Sequence, residues 1–195
     1  MPSRRPPYLP GCFYHIYNRG ARRMSIFREA DNYGFVQSKL AIISSDLQIA
    51  VLAYCLLPNH YHLLVRQDGE YPISLLPQRI FNSYSKAYNK RYGHSGTLFE
   101  GRYRVRMIEQ ERDLLHLCRY IHANPVLHGM VEEVLDWPYS NYMEWVMAKE
   151  AEPVLRAFIN ERLPAAEDYQ AFVREYVETR RLPEALARSI EYLER

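Results

Sequence analysis

Apolar and polar positions change period along the chain, and the changes mark out its elements. Cys12 to Asn18 is a run of aromatic and β-branched residues closed by Asn18-Arg19-Gly20, which predicts a first strand. From Glu29 to Ile43 the apolar residues Tyr33, Phe35, Val36, Leu40, Ala41 and Ile43 recur at helical spacing, with Asp31 as N-terminal cap. Two apolar runs, Leu47 to Leu57 and Tyr61 to Arg66, then flank Pro58-Asn59, the residue types of a tight hairpin turn. Ile73 to Arg91 returns to helical period with Leu75, Leu76, Ile80, Tyr84 and Tyr88 inward. Thr97 to Ile108 reads as a strand, and Glu111 to Ala123 as a helix stopped before Asn124-Pro125. Helices returned across an antiparallel sheet predict an α+β sandwich.

The hairpin carries the first candidate chemistry. Side chains on a strand alternate faces, so His60 and His62 point one way and Tyr61 the other. Two imidazoles on one face can grip one metal ion. A His-x-His on a strand is more often just two half-exposed polar residues, so a site needs a further ligand and a reacting group.

Charge adds a partner. The chain has 195 residues, enough for one substantial core, and a net charge of only +2. Residues 1–110 hold 15 Lys and Arg against 7 Asp and Glu, however, while residues 111–195 hold 10 against 16. A basic front of +8 and an acidic back of −6 point to a polyanion for the front. Arg4 and Arg5 stand in a proline-rich arm, and Arg19, Arg22 and Arg23 crowd the turn after the first strand. Lys86, Lys90 and Arg91 surround the tyrosine-rich second helix. Arg102, Arg104 and Arg106 alternate with apolar residues on the last strand, and three like charges on one face suit a phosphate backbone laid over them. Seventeen tyrosines are many for this length, and tyrosines favour wet, stacked surfaces.

Other classes fall away. Cys12, Cys55 and Cys118 are odd in number and far apart, as in reduced thiols of a cytoplasmic protein. No stretch reaches the roughly 18–20 apolar residues of a membrane span, and the start lacks the apolar core of a signal peptide. The expected location is the cytosol.

On the third helix, Tyr120 and Asn124 are four residues apart and share a face. A neutral phenol, with a pKa of about 10, is a poor nucleophile and needs a cation to polarise the phosphate it attacks. By residue chemistry alone Tyr120 is one of several candidate tyrosines.

The motifs Tyr14-His15-Ile16-Tyr17-Asn18-Arg19-Gly20, Pro58-Asn59-His60-Tyr61-His62-Leu63-Leu64-Val65, Gly96-Thr97-Leu98-Phe99-Glu100-Gly101-Arg102-Tyr103, Arg119-Tyr120-Ile121-His122-Ala123-Asn124-Pro125-Val126 and Trp137-Pro138-Tyr139-Ser140-Asn141-Tyr142 occur in that order. Together they resemble the REP-associated tyrosine transposases, within the single-tyrosine HUH transposases, over about residues 11–143. The resemblance implies a ferredoxin-like α+β fold with extra C-terminal helices. It implies His60, His62 and Asn124 as ligands of Mg2+ or Mn2+, and Tyr120 as nucleophile. The implied reaction is cleavage and rejoining of single-stranded DNA at hairpin repeats through a 5′-phosphotyrosine, with no nucleotide cofactor. Basic residues would hold the DNA and spare tyrosines stack unpaired bases. A monomer is favoured over a homodimer.

Two other functions fit the same residues: a domesticated DNA-hairpin-binding protein that does not cut, and a metal-dependent phosphodiesterase that uses water. Three regions are expected: a basic arm at 1–10, a catalytic domain at 11–143 and a helical extension at 144–195. Val154 to Leu163 and Asp168 to Leu193 read as acidic helices broken by Pro164 and Pro183, which either cap the fold or cover the basic groove.

Overall fold

The computed structural model describes residues 8–147, 151–163 and 166–194. Arg4 and Arg5 of the expected basic arm lie outside the described residues, as does Pro164. The chain divides into two compact units, residues 1–51 with 56–107 and residues 52–55 with 108–195. The functional regions expected from sequence divide after residue 143, whereas residues 108–143 group with the helices that follow them.

Strands β1 (Phe13–Arg19), β2 (Ile49–Leu57), β3 (His60–Gln67) and β4 (Arg104–Ile108) form an antiparallel sheet in the order β2-β3-β1-β4. Helix α1 (Ala30–Asp46) joins β1 to β2, and α2 (Leu75–Tyr92) joins β3 to β4. Two interleaved strand-helix-strand crossovers sharing one sheet make the ferredoxin-like α+β arrangement. In the β1–β3 register Tyr17 faces His62, Arg19 faces His60 and Ile16 faces Leu63. Residues directly opposite share a face, so one face carries His15, Tyr17, Arg19, His60 and His62.

The other face is apolar. Tyr61 is fully buried and stacks on Phe81 of α2 with ring centroids 4.0 Å apart, while Phe99 meets it edge-on at 6.1 Å. Helices α1 and α2 meet through Phe35 and Tyr84, 5.7 Å apart. The Tyr84 and Tyr88 hydroxyls donate to the carbonyls of Ile26 and Ser25, which ties α2 to the loop before α1.

Three local expectations are corrected. Helix α1 starts at Ala30 with extended Glu29 at its cap position, so Asp31 lies inside the first turn and caps nothing. There its carboxylate still meets the positive end of the helix dipole. β4 starts at Arg104, seven residues later than the pattern suggests. Gly101 at φ 111° breaks the extended run, and Phe99 leaves it to bridge Gly20. Arg102 is therefore not on the strand, and only Arg104 and Arg106 alternate there.

The third correction falls in the second unit, where α3 (Glu111–Leu127) continues through Pro125. Proline lacks the N–H that would bond the carbonyl of Ile121. The helix persists because Ile121 to Pro125 are all buried and because the next turn is bonded, His128 N–H to Asn124 O and Met130 N–H to Pro125 O. Burial of this segment outweighs the proline penalty, where the local rule sees only the penalty. α4 (Tyr142–Val146), α5 (Pro153–Asn160), α6 (Ala166–Thr179) and α7 (Glu184–Glu194) complete the unit. Among the described residues no helix is long and apolar enough to cross a membrane.

Candidate functional site

On β3 the two histidines are held differently from ordinary surface imidazoles. Asn59, the second turn residue, places its side-chain oxygen 2.6 Å from His60 Nδ1. An amide oxygen only accepts, so His60 carries its proton on Nδ1 and its lone pair on Nε2. His62, 3% exposed, has its Nδ1 3.0 Å from His15 Nε2 across the β1–β3 pair. The His60 and His62 rings stand edge to face, 5.2 Å between centroids. Both rings are gripped at Nδ1, so the nitrogen each would present to a metal is Nε2. Neighbours that fix a ligating histidine through its other nitrogen are the usual support of such sites.

His15 was not expected as part of the site. It is buried, and burial together with the Arg106 guanidinium lowers its pKa to about 3, so it stays neutral. The signal was present in the alternation of β1, which puts His15 on the face of Tyr17, but which face meets the histidines depends on a strand pairing over 47 residues of sequence. Arg104 lies over the Tyr17 ring at 6.0 Å. Arg106 is half-buried, and its Nη1 has no hydrogen-bond partner.

The second unit presents Tyr120 and Asn124 on consecutive turns of α3, both buried. The Asn124 amide donates from Nδ2 to the Tyr120 carbonyl at 2.7 Å, and this turns Oδ1 away from the helix backbone. That buried oxygen has no partner. An unpaired buried acceptor costs about 1–3 kcal/mol, so it calls for an explanation such as an ion. The Tyr120 ring meets Tyr176 of α6 edge-on at 6.4 Å.

Two neighbours of Tyr120 have other work. Arg119 lies in the helical face next to it and is 3% exposed. Its guanidinium bonds Glu175 at 3.1 Å and the Arg181 carbonyl at 2.7 Å, and stacks over Phe172 at 4.0 Å. His122 is fully buried, with Nδ1 2.5 Å from the Tyr169 hydroxyl and Nε2 3.0 Å from Asn141 Oδ1. Desolvation lowers its pKa to about 4, against a smaller upward pull from Asn141. These are structural groups that fix α3.

Some of the predicted basic residues are held in ion pairs with carboxylates and others are solvent-exposed. Arg19 is bound bidentately by Glu100, with Nη2 3.0 Å from Oε1, and Arg91 pairs with Glu29 and Asp31 at 2.9 and 3.0 Å. Arg22, Arg23, Lys86, Lys90, Arg102 and Arg104 are exposed. Arg22 and Arg23 hold left-handed backbone, φ 54° and 59°, which costs a non-glycine residue about 1–2 kcal/mol. Gly20 makes that turn possible: a Cβ there would sit 2.1 Å from the Met24 carbonyl oxygen.

The donors that β3 offers, two imidazole nitrogens on one face, suit a divalent cation of intermediate hardness. Among the described residues no group of three or more His, Cys, Asp or Glu is placed to hold a metal by itself.

A ferredoxin-like sheet with a His-x-His strand, followed by a helix bearing tyrosine, defines the class. Residues 9–124 match the family described as "Transposase IS200 like", and the chain belongs to that family. It is 35% identical over 109 residues to a Haemophilus influenzae protein assigned as a REP-associated tyrosine transposase. That match takes in 50% of this chain and 61% of the relative, so the chain spans less than two thirds of that protein's length. It is 26% identical over 133 residues to the REP-associated tyrosine transposase of Escherichia coli K12, covering 68% of this chain and 76% of that one. The fold is shared with a solved REP-associated tyrosine transposase bound to a REP hairpin, at 23% identity, TM-score 0.65, and coverage of 78% of this chain and 89% of the other.

Proposed function

We propose that this chain cleaves and rejoins single-stranded DNA at hairpin repeats, with Tyr120 as nucleophile and His60, His62 and Asn124 as ligands of Mg2+ or Mn2+. Membership of the transposase family and the REP hairpin bound by a relative of the same fold support the substrate class. The observation that carries the chemistry is the pair of imidazoles gripped at Nδ1 on adjacent same-face positions of β3. A divalent ion held there would polarise a phosphate oxygen and lower the barrier to attack by a phenol.

The reaction balances with the phenol proton passing in net terms to the leaving 3′-oxygen. The Tyr120 oxygen bonds phosphorus and gives up its proton, the P–O3′ bond breaks, and the departing 3′-oxygen takes a proton. The phosphotyrosine keeps the energy of the broken link, so a second 3′-hydroxyl can reverse the step and join a different strand without a nucleotide cofactor. Exposed Arg22, Arg23, Lys86, Lys90, Arg102 and Arg104 are the residues for the phosphate backbone.

A second reading rests on one observation. Tyr120 is 1% exposed, and a hydroxyl so covered meets no DNA phosphate until its surroundings open. A hairpin-binding protein that does not cut fits that burial without any opening. The deciding experiment incubates the protein with labelled hairpin oligonucleotides and Mn2+, then runs a denaturing gel beside Tyr120→Phe and a chelator control. Cleavage is expected to give a protein–DNA band that survives denaturation and is missing from both controls. Binding with no cut on any hairpin would establish the second reading, and cutting without an adduct would point to water as the nucleophile.

A further inference from the structure

His15 is an imidazole that nothing in the reaction uses directly. It is 1% exposed, so it touches neither phosphate nor base, and its ring lies nearly parallel to that of His62, 5.2 Å between centroids at 20°. Its Nε2 stands 3.0 Å from His62 Nδ1. The register makes this contact diagonal: Tyr17 is directly opposite His62, and His15 opposite Leu64. Two neutral imidazoles in such a contact share one proton, and there are two ways to place it. If His62 Nδ1 donates, the lone pair of His62 is on Nε2 and the ring can ligate a metal there. If His62 Nδ1 accepts, Nε2 carries the proton and the ring cannot.

We propose that His15 is a positioning residue that accepts a hydrogen bond at Nε2 from His62 Nδ1–H, fixing His62 as the tautomer that offers Nε2 to the metal. The proposal rests on the metal role of His62 given above. Asn59 does the same for His60 with an oxygen that can only accept, so both imidazoles are set alike by two unlike neighbours. The choice of neighbour has a consequence. A neutral imidazole is a weaker acceptor than a carboxylate, so it orients His62 without making it much more basic. That suits an ion which must exchange ligands with a phosphate during each strand transfer.

The first measurement is the tautomer of His62 in the metal-free protein, read from long-range proton–nitrogen correlations of the 15N-labelled ring. Nδ1–H is expected in the wild type. His15→Phe keeps a stacked ring and removes the acceptor, and is expected to shift His62 towards Nε2–H. His15→Gln supplies an acceptor oxygen and should restore Nδ1–H. Mn2+ affinity, read by the free-ion resonance in electron paramagnetic spectra, should fall about 10–100-fold in His15→Phe and recover in His15→Gln.

A wild-type His62 protonated on Nε2 would overturn the proposal without any variant. So would a His15→Phe protein with unchanged tautomer and Mn2+ affinity. His62→Ala separates the two levels: if it binds Mn2+ as tightly as wild type, the metal reading of His62 fails, whereas its loss of binding beside an unaffected His15→Phe sinks only the role of His15.

Discussion

Two buried asparagines of the second unit show how polar groups committed to structure differ from polar groups held in reserve. Asn141 uses both ends of its amide: Oδ1 takes the Tyr54 N–H at 2.8 Å and faces His122 Nε2 at 3.0 Å, while Nδ2 donates to the Leu52 carbonyl at 3.1 Å. Asn124 spends only its NH2, and its buried Oδ1 has no partner. The same buried side chain is bonded at both ends in one place and at one end in the other. An amide used at both ends marks an anchor, and the unused oxygen is what the ligand role proposed for Asn124 would draw on.

The largest test of that contrast is Asn141→Leu. It strands the Tyr54 N–H and one nitrogen of His122, while the Leu52 carbonyl keeps only the Trp145 indole, and should lower unfolding free energy by about 3 kcal/mol in urea denaturation. Acid is next. His122 ionises at about 4 in the folded chain, below its ordinary 6.5, so the unfolded chain binds the extra proton first. Stability from this group is complete above pH 6.5 and is lost as pH falls from there towards 4, at up to about 1.4 kcal/mol per unit, and His15 adds a loss of the same sign. His122→Gln should flatten the pH dependence of the urea midpoint across that window. A midpoint insensitive to pH between 6.5 and 4 in the wild type would show that the network is not closed.

Asn124→Leu should behave oppositely to Asn141→Leu. Unfolding free energy should change by no more than about 1 kcal/mol, because the lost amide leaves no second buried partner orphaned, while Mn2+ affinity and adduct formation fall. Equal destabilisation by the two substitutions would abolish the distinction. The smallest effect sharpens it. Tyr61 also has a buried oxygen without a partner, but on a ring packed between Phe81 and Phe99, away from the histidine face. Tyr61→Phe should raise stability by about 1 kcal/mol and leave cleavage intact, because this orphaned atom lies in an aromatic core.

Much of this was written locally. The alternation of β1, the Pro58-Asn59 turn and the helical periods of α1 to α3 follow from residue type and spacing, and they fix the element order. The motif order identified the family, and residues 9–124 match it. What the sequence concealed lies in long-range contacts and in burial. Arg19 and Arg91 look like phosphate ligands until Glu100 and Glu29, 81 and 62 positions away, are seen on them. His15 is indistinguishable from any strand histidine until β1 pairs with β3. Proline rules stop α3 at Ala123, because they weigh one missing N–H and not the burial that carries the helix on to Leu127.

The segment ahead of α4 lies against the outer side of β2, an edge strand of the sheet. Ser140 bridges Cys55, Asn141 bonds both ways with Tyr54, and Leu52 receives both Asn141 and the Trp145 indole at 2.9 Å. A bare edge is a template on which a second chain can add a strand, and copies so joined can grow without limit. Trp137 to Trp145 is therefore a stopper as well as an anchor: it fills the hydrogen-bonding positions that would otherwise recruit neighbours, and keeps a chain with a strongly apolar hairpin from polymerising through its own sheet.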